Sequence, residues 1–271
     1  MHHDHHHGGL PGWLPLALLA AVAGAYLLLA ARRRREAKGW SQWRTASFGT
    51  GLALLAAGLV GPVAALAETD FRGHMVQHLL IGMLAPLALV LGAPITLLLR
   101  SLPPAHRRRI GAALRSRAVH LLANPWSALA LSVGGMVALY CTPLYRLTSG
   151  TPAHHLVHAH FLLSGYLFAW VIAGPDPAPR RPSVPLRLVV MAVAVAVHAT
   201  LSQLMYAGLI VDVPMPVMQL RGAAEIMYYG GDLAELLLVF ALVSTWRPAR
   251  PTVRGSRAPA PVSVREVTVI R

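Results

Sequence analysis

Residues 74–99 read HMVQHLLIGMLAPLALVLGAPITLLL, a stretch without Asp, Glu, Lys or Arg. The hydrocarbon core of a bilayer is roughly 30 Å thick, and about 20 helical residues cross it. Six further apolar stretches are long enough, or nearly so, to do the same. The sequence therefore predicts an all-α integral membrane bundle of seven transmembrane helices. We place the spans near residues 13–31, 46–67, 74–99, 124–141, 154–173, 186–211 and 224–246.

Composition supports a lipid environment. The 271 residues are 55% hydrophobic and only 13% charged, and the mean hydropathy is +0.54, which is too apolar for an ordinary aqueous domain. The net charge of +14 does not indicate a nucleic-acid partner, because the basic residues form short runs between apolar stretches. The single cysteine, Cys141, excludes an internal disulfide and any paired-cysteine metal site.

The distribution of basic residues predicts the orientation in the membrane. Of the 24 Lys and Arg residues, 21 fall in the connections after the first, third and fifth spans or in the tail from Arg247. Because cytoplasmic loops are enriched in Lys and Arg, the amino terminus is expected outside and the carboxyl terminus in the cytoplasm of a bacterial plasma membrane. The predicted organisation is a His-rich outer tail at 1–12, a transmembrane domain at 13–247 and a flexible basic cytoplasmic tail at 248–271.

Two histidine pairs are the main candidate site. His74 and His78 begin the third predicted span, and His154 and His158 begin the fifth with the same spacing. An i,i+4 spacing places both rings of a pair on one helix face, and both pairs lie near the outer membrane surface. If the two spans pack together, four imidazoles converge, and neutral imidazole is a good ligand for copper or zinc. One pair alone would be explained by an interfacial helix start.

Buried polar residues in the later spans are candidate supporting groups. If the seventh span begins near Ala224, Asp232 and Glu235 lie about 12 and 16 Å below its outer end and share a face. His198 is expected near the midplane of the sixth span. Its preferred hydrogen-bond partner is Glu235, and the alternative is a backbone carbonyl. Polar groups at such depth usually have a function. The candidates for alternative ligands, or for residues that hydrogen-bond to a ligating imidazole, are Gln77, His155, His160, His198, Asp232 and Glu235.

The amino-terminal run is biased towards metal binding. His2, His3, His5, His6 and His7 are dense enough to capture a divalent metal at low specificity. A free terminal amine, two amide nitrogens and the His3 ring also make a nitrogen set that suits Cu(II). An expression tag is the alternative explanation of the run.

Three stretches resemble a known family. Residues 74–94 (HMVQHLLIGMLAPLALVLGAP), 154–170 (HHLVHAHFLLSGYLFAW) and, more weakly, 219–236 (QLRGAAEIMYYGGDLAEL) are similar to the CtaG-type membrane family of cytochrome c oxidase assembly factors. The resemblance implies a role in building the oxidase by supplying or placing copper in its catalytic subunit. It also implies that His74, His78, His154 and His158 are family-like positions, and that an oxidase subunit is the client.

The leading hypothesis is therefore a copper-handling assembly factor that catalyses no reaction. One alternative is a membrane haem or electron-transfer protein in which His78 and His158 ligate a b-type haem. Another is a metal transporter whose path follows His198, Asp232 and Glu235. The sequence leaves the oligomeric state open, with a homo-oligomer as one alternative.

Overall fold

The computed structural model describes residues 13–179 and 181–245, and all regular structure within them is helical. The two predicted tails, including the amino-terminal histidines, lie outside the described residues. In chain order the helices are α1 (Trp13–Arg34), α2 (Gln42–Leu59), α3 (Pro62–Thr69), α4 (Phe71–Leu79), a π-helical turn (Leu80–Leu84), α5 (Ala85–Leu91), α6 (Pro94–Ser101), α7 (Pro104–Leu114), α8 (Arg117–Leu122), α9 (Pro125–Cys141), α10 (Leu144–Thr148), α11 (Ala153–Ala173), α12 (Val184–Ala207) and α13 (Val217–Thr245).

Six helical stretches of the described chain are long and apolar enough to cross a membrane: Trp13–Arg34, Gln42–Thr69, Phe71–Ser101, Ala153–Ala173, Val184–Ala207 and Val217–Ser244. They correspond to six of the seven predicted spans. The remaining one, α9, is apolar but has 17 residues, which is about 26 Å of helix and somewhat less than the roughly 30 Å hydrocarbon core. The all-helical membrane class is thus confirmed. That α9 also crosses the membrane, which would make seven crossings, stays a prediction, as does the orientation.

The third span is not one continuous α-helix. Proline has no N–H and its ring crowds the carbonyl four residues earlier, so Pro86 and Pro94 both disturb the helix. Before Pro86 the chain widens into the π-turn, in which the Ala85 N–H donates to the Leu80 carbonyl. Before Pro94 the helix breaks, because Ala93 adopts a left-handed conformation with φ of 51°.

The second predicted span lies within one apolar stretch, Gln42–Thr69, which is interrupted at Gly61, whose φ is 90°, and Pro62 starts a new helix. Two predicted boundaries were wrong. The sixth span ends at Ala207 instead of residue 211, because Gly208 caps it with φ of 71°. The seventh begins at Val217 instead of near Ala224, which places Asp232 and Glu235 about 22 and 27 Å from its start.

The third and fifth spans form the centre of the bundle. In the most apolar 18-residue segment of each of these two spans, 56% and 50% of the residues are buried. The corresponding values for the first two spans are 11% and 17%, because their surfaces face outward. The π-turn and α5 pack directly against α11. Two glycines make this possible: a Cβ on Gly165 would lie 2.0 Å from the Gly82 carbonyl oxygen. Small residues therefore allow the two backbones to approach closely, as they commonly do between membrane helices.

Candidate metal centre

Two polar side chains fix the amino-terminal end of α4. The Asp70 carboxylate accepts a hydrogen bond from the Arg72 backbone N–H at 2.8 Å and pairs with the Arg72 guanidinium. These hydrogen bonds from Arg72 lower the pKa of Asp70. Gln219 of α13 accepts a hydrogen bond from the Phe71 N–H at 3.2 Å. Both contacts satisfy backbone donors that a helix start leaves unpaired, so they fix where His74 and His78 lie.

The two histidine pairs come together between α4 and α11. His74 and His78 are 4% and 7% exposed, and the His154 ring centre lies 5.7 Å from that of His74. His154 in turn lies 4.4 Å from His158, centre to centre. The His74–His154 contact therefore brings the two pairs next to each other, as the matched i,i+4 spacing predicted.

Aromatic side chains that the sequence analysis missed enclose the histidines. The Tyr140 hydroxyl, from the end of α9, is hydrogen-bonded to His74 Nε2 at 3.2 Å. Phe71 stacks on His74 with ring centres 5.4 Å apart, and Phe161 meets His78 edge-on at 4.6 Å. Tyr145 of α10 contacts His74 at 5.2 Å, and burial raises the pKa of its hydroxyl, which keeps it neutral. These aromatic rings therefore form part of the wall around the histidines.

Two ring nitrogens in the cluster are buried without a hydrogen-bond partner among the described residues: His154 Nδ1 and His158 Nε2. An unsatisfied buried polar atom costs about 1–3 kcal/mol and calls for an explanation. An unpaired imidazole nitrogen is also the atom that ligates a metal ion. The donor set therefore fits a metal that prefers nitrogen ligands.

One ring separation agrees with coordination of a single ion by two imidazoles. A ligating imidazole nitrogen lies about 2.0 Å from the ion and its ring centre about 1.2 Å further, so two rings on one ion have centres about 4.5 to 6.4 Å apart. The His74–His154 separation of 5.7 Å is inside this range, whereas the His154–His158 separation of 4.4 Å is just below it. In the described part of the chain, no group of three or more His, Cys, Asp or Glu side chains is arranged to hold one metal ion. A third imidazole would have to rotate to join a pair.

Three of the predicted supporting residues lie away from the cluster. Gln77 donates from Nε2 to the Gly58 carbonyl at 2.7 Å and so joins α4 to the end of α2. His155 is exposed. His160 is also exposed, and its Nε2 is hydrogen-bonded to the Leu131 carbonyl of α9 at 3.1 Å. These two histidines lie on other faces of α11 than His154 and His158.

The predicted His198–Glu235 hydrogen bond is confirmed. The His198 Nδ1 and Glu235 Oε1 atoms are 3.2 Å apart, and both side chains are buried between α12 and α13. Asp232, one turn before Glu235, is only partly buried. His198 lies nine residues before the end of α12, which places the pair about 14 Å below that end. The pair is thus deeper than the four-histidine cluster.

A bundle of long apolar helices around a cluster of buried imidazoles defines a multi-pass membrane protein with a candidate metal centre. The model of the cytochrome c oxidase caa3 assembly factor family matches residues 24–249, and the chain belongs to that family. The resemblance drawn from the sequence is confirmed.

The curated relatives are uncharacterized mycobacterial proteins. Those of Mycobacterium bovis and Mycobacterium tuberculosis are each 31% identical over 255 residues, which is 84% of this chain and 38% of the relative. One from Mycobacterium leprae is 29% identical over 248 residues, which is 83% of this chain and 38% of the relative. The chain thus spans 38% of the length of these relatives. No solved structure matches the chain significantly.

Proposed function

We propose that this chain takes up copper at the four-histidine cluster (His74, His78, His154 and His158) and passes it to an oxidase subunit during assembly of cytochrome c oxidase. The observation that carries the proposal is the pair of buried, unpartnered ring nitrogens on His154 and His158. Imidazole suits copper, and Cu(I) is stable at low coordination number, so a pair of rings is sufficient to hold it. The role is non-catalytic, with copper as cargo.

Ion binding is favoured over a haem by the packing of the rings. His154 and His158 are in contact with each other, and Phe161 and Tyr140 lie against His78 and His74. A macrocycle needs an open slot between its two axial ligands, whereas a single ion needs only a gap between ring nitrogens.

The proposed topology brings copper to the cluster from outside the cell. We take α9 as a seventh crossing, with the amino terminus outside and the carboxyl terminus in the cytoplasm of a bacterial plasma membrane, because 21 of the 24 Lys and Arg residues then lie inside. Residues 1–12 would form an outer His-rich tail, 13–247 the membrane domain and 248–271 a cytoplasmic tail. The outer tail would raise the local copper concentration, and the half-buried His154 and His158 would exchange ligands with the client.

Copper stoichiometry in paired variants tests the proposal. The background is the full chain with the amino-terminal histidines (His2, His3, His5, His6 and His7) replaced by Ala. In this background, His154→Ala with His158→Ala should lose the copper held at the cluster. The matched control on the same helix, His155→Ala with His160→Ala, should retain it, because those side chains are exposed outside the cluster.

Oxidase activity in membranes of a strain that depends on this chain should fall in the His154→Ala, His158→Ala variant and be retained in the control variant. Thermal unfolding of both purified variants shows whether they are folded. Equal copper contents in the two variants would refute the cluster as the copper site. A Soret band in the purified protein would favour the haem alternative instead.

A further inference from the structure

A cavity of about 60 Å³ lies in the bundle directly below the four-histidine cluster. Its volume holds about four to six waters, at roughly 10–15 Å³ for each. Most of its wall is aliphatic or aromatic. Its polar and sulfur-bearing wall residues are His78, Met83, Ser132, Met136, His198 and Glu235. His78 belongs both to this wall and to the cluster above, so the two sites share a side chain.

The His198–Glu235 pair leaves a free ligand atom at this cavity. With Nδ1–H donated to the Glu235 carboxylate, the imidazole keeps its lone pair on Nε2. His198 Nε2 is buried and has no hydrogen-bond partner within residues 13–179 and 181–245, and the same is true of Glu235 Oε2. A carboxylate that fixes the tautomer and orientation of an imidazole is the usual support for a metal-ligating histidine.

Two thioethers lie in the wall of this cavity together with His78. Met83 is in the π-turn, five residues after His78. Met136, which is 4% exposed, belongs to α9.

We propose that this cavity is a second, deeper binding site for Cu(I), with His78, His198, Met83 and Met136 as ligands and Glu235 as the residue that positions His198. The proposal deepens the proposed function and rests on it, since the ion would pass from the cluster through His78. The His and carboxyl groups alone do not surround one point in the described chain, so thioethers are needed to complete the site.

Charge and softness both select a monovalent copper ion. Thioether sulfur prefers Cu(I) to harder cations, and imidazole is compatible with it. The single carboxylate of Glu235 neutralises one positive charge. A divalent ion would leave an uncompensated charge in a medium of low dielectric constant, which is costly.

X-ray absorption at the copper edge provides the test, because it separates sulfur from nitrogen ligands. The sample is the full chain with its amino-terminal histidines replaced by Ala, loaded with Cu(I) without oxygen. We expect a sulfur shell in this protein. Met83→Leu with Met136→Leu keeps the volume of the wall and should abolish the sulfur shell and lower the copper content by about one ion per chain. Met205→Leu is the matched control, since Met205 is fully buried and does not line the cavity.

Absence of a sulfur shell in the starting protein, or its persistence in the double methionine variant, would overturn the deeper site. The sulfur shell should survive His154→Ala with His158→Ala. Its loss in that variant would overturn the claim that the deeper site is separate from the cluster. If that histidine variant retains all of its copper and its sulfur shell, the proposed uptake site fails while the deeper site stands.

The positioning role of Glu235 has its own comparison. Glu235→Gln keeps an acceptor for His198 Nδ1–H, whereas Glu235→Leu removes it, so Gln should weaken copper retention against a Cu(I) chelator less than Leu does. Equal losses in the two variants would rule out the positioning role. Thermal unfolding of the metal-free variants shows that both are folded.

Discussion

Gly165→Ala tests how the bundle holds the two histidine pairs together. A Cβ at this position would lie 2.0 Å from the Gly82 carbonyl oxygen and 3.2 Å from Pro86 Cγ. A carbon–oxygen contact is normally no shorter than about 3.3 Å, so α11 would have to move from the π-turn by about 1 Å. Overpacking of this kind costs about 1–3 kcal/mol. It would also separate His154 and His158 from His74 and His78.

Two other glycines supply matched controls. Gly82 faces the same interface, but a Cβ there would meet its nearest atoms, His78 Cε1 and Phe161 Cβ, at an ordinary 3.6 Å. A Cβ on Gly134 of α9 would have no neighbouring atom within 4 Å. We expect Gly82→Ala and Gly134→Ala to be neutral or slightly stabilising, because Ala favours helix over Gly by about 1 kcal/mol.

The assay is thermal unfolding in detergent, followed by copper content in the background without amino-terminal histidines. Gly165→Ala should lower the unfolding temperature by several degrees and reduce bound copper, whereas the two controls should do neither. If Gly165→Ala unfolds at the same temperature as Gly134→Ala and keeps its copper, the close approach of Gly165 to Gly82 does not hold the site together. Loss of stability without loss of copper would show that the site does not depend on this helix contact.

Two further substitutions test a contact in the cluster and a cap at the other end of the bundle. Tyr140→Phe removes the hydroxyl bonded to His74 Nε2 and should destabilise the copper-free protein by about 1–3 kcal/mol. Copper should raise the unfolding temperature of this variant more than that of wild type. Equal rises in the two proteins would contradict this prediction. Asp176 accepts hydrogen bonds from the Ile95 and Thr96 N–H groups, and burial raises its pKa. The contribution of the Asp176 carboxyl to stability should therefore be greatest at low pH and be lost as the pH rises through the folded pKa. The unfolding temperature of wild type relative to Asp176→Asn should accordingly fall with rising pH. Parallel curves of unfolding temperature against pH for the two proteins would contradict this prediction.

The sequence predicted those parts of the site that follow from helix periodicity and depth. His74 and His78 share a face because they are four residues apart, and the same holds for His154 and His158. The His198–Glu235 bond was predictable for another reason: two polar groups buried at similar depth in consecutive helices have few other partners. Neither inference needed a detailed knowledge of side-chain packing.

The features that the sequence did not predict depend on contacts between distant segments. The start of α13 was placed too late because Gln219 and Arg221 read as loop residues. In the fold, Gln219 caps α4 and the Arg221 guanidinium lies 5.3 Å from the Tyr206 ring centre, so both are accommodated within a helix. Tyr140 was missed for a similar reason, since a tyrosine at the end of an apolar stretch is common at a membrane interface.

The charges around the two proposed positions suggest different roles for them. The four-histidine cluster would offer only neutral ligands, so a Cu(I) ion there would keep its full charge. Because His154 and His158 are only half-buried, that ion would also lie close to the protein surface. At the deeper cavity Glu235 neutralises the ion, and the surrounding apolar wall excludes competing ligands. Exchange with a client is therefore expected to be faster at the cluster, whereas the cavity should retain copper longer. Because His78 is common to both, an ion can move between them by exchanging ligands one at a time, without ever being released into the apolar core.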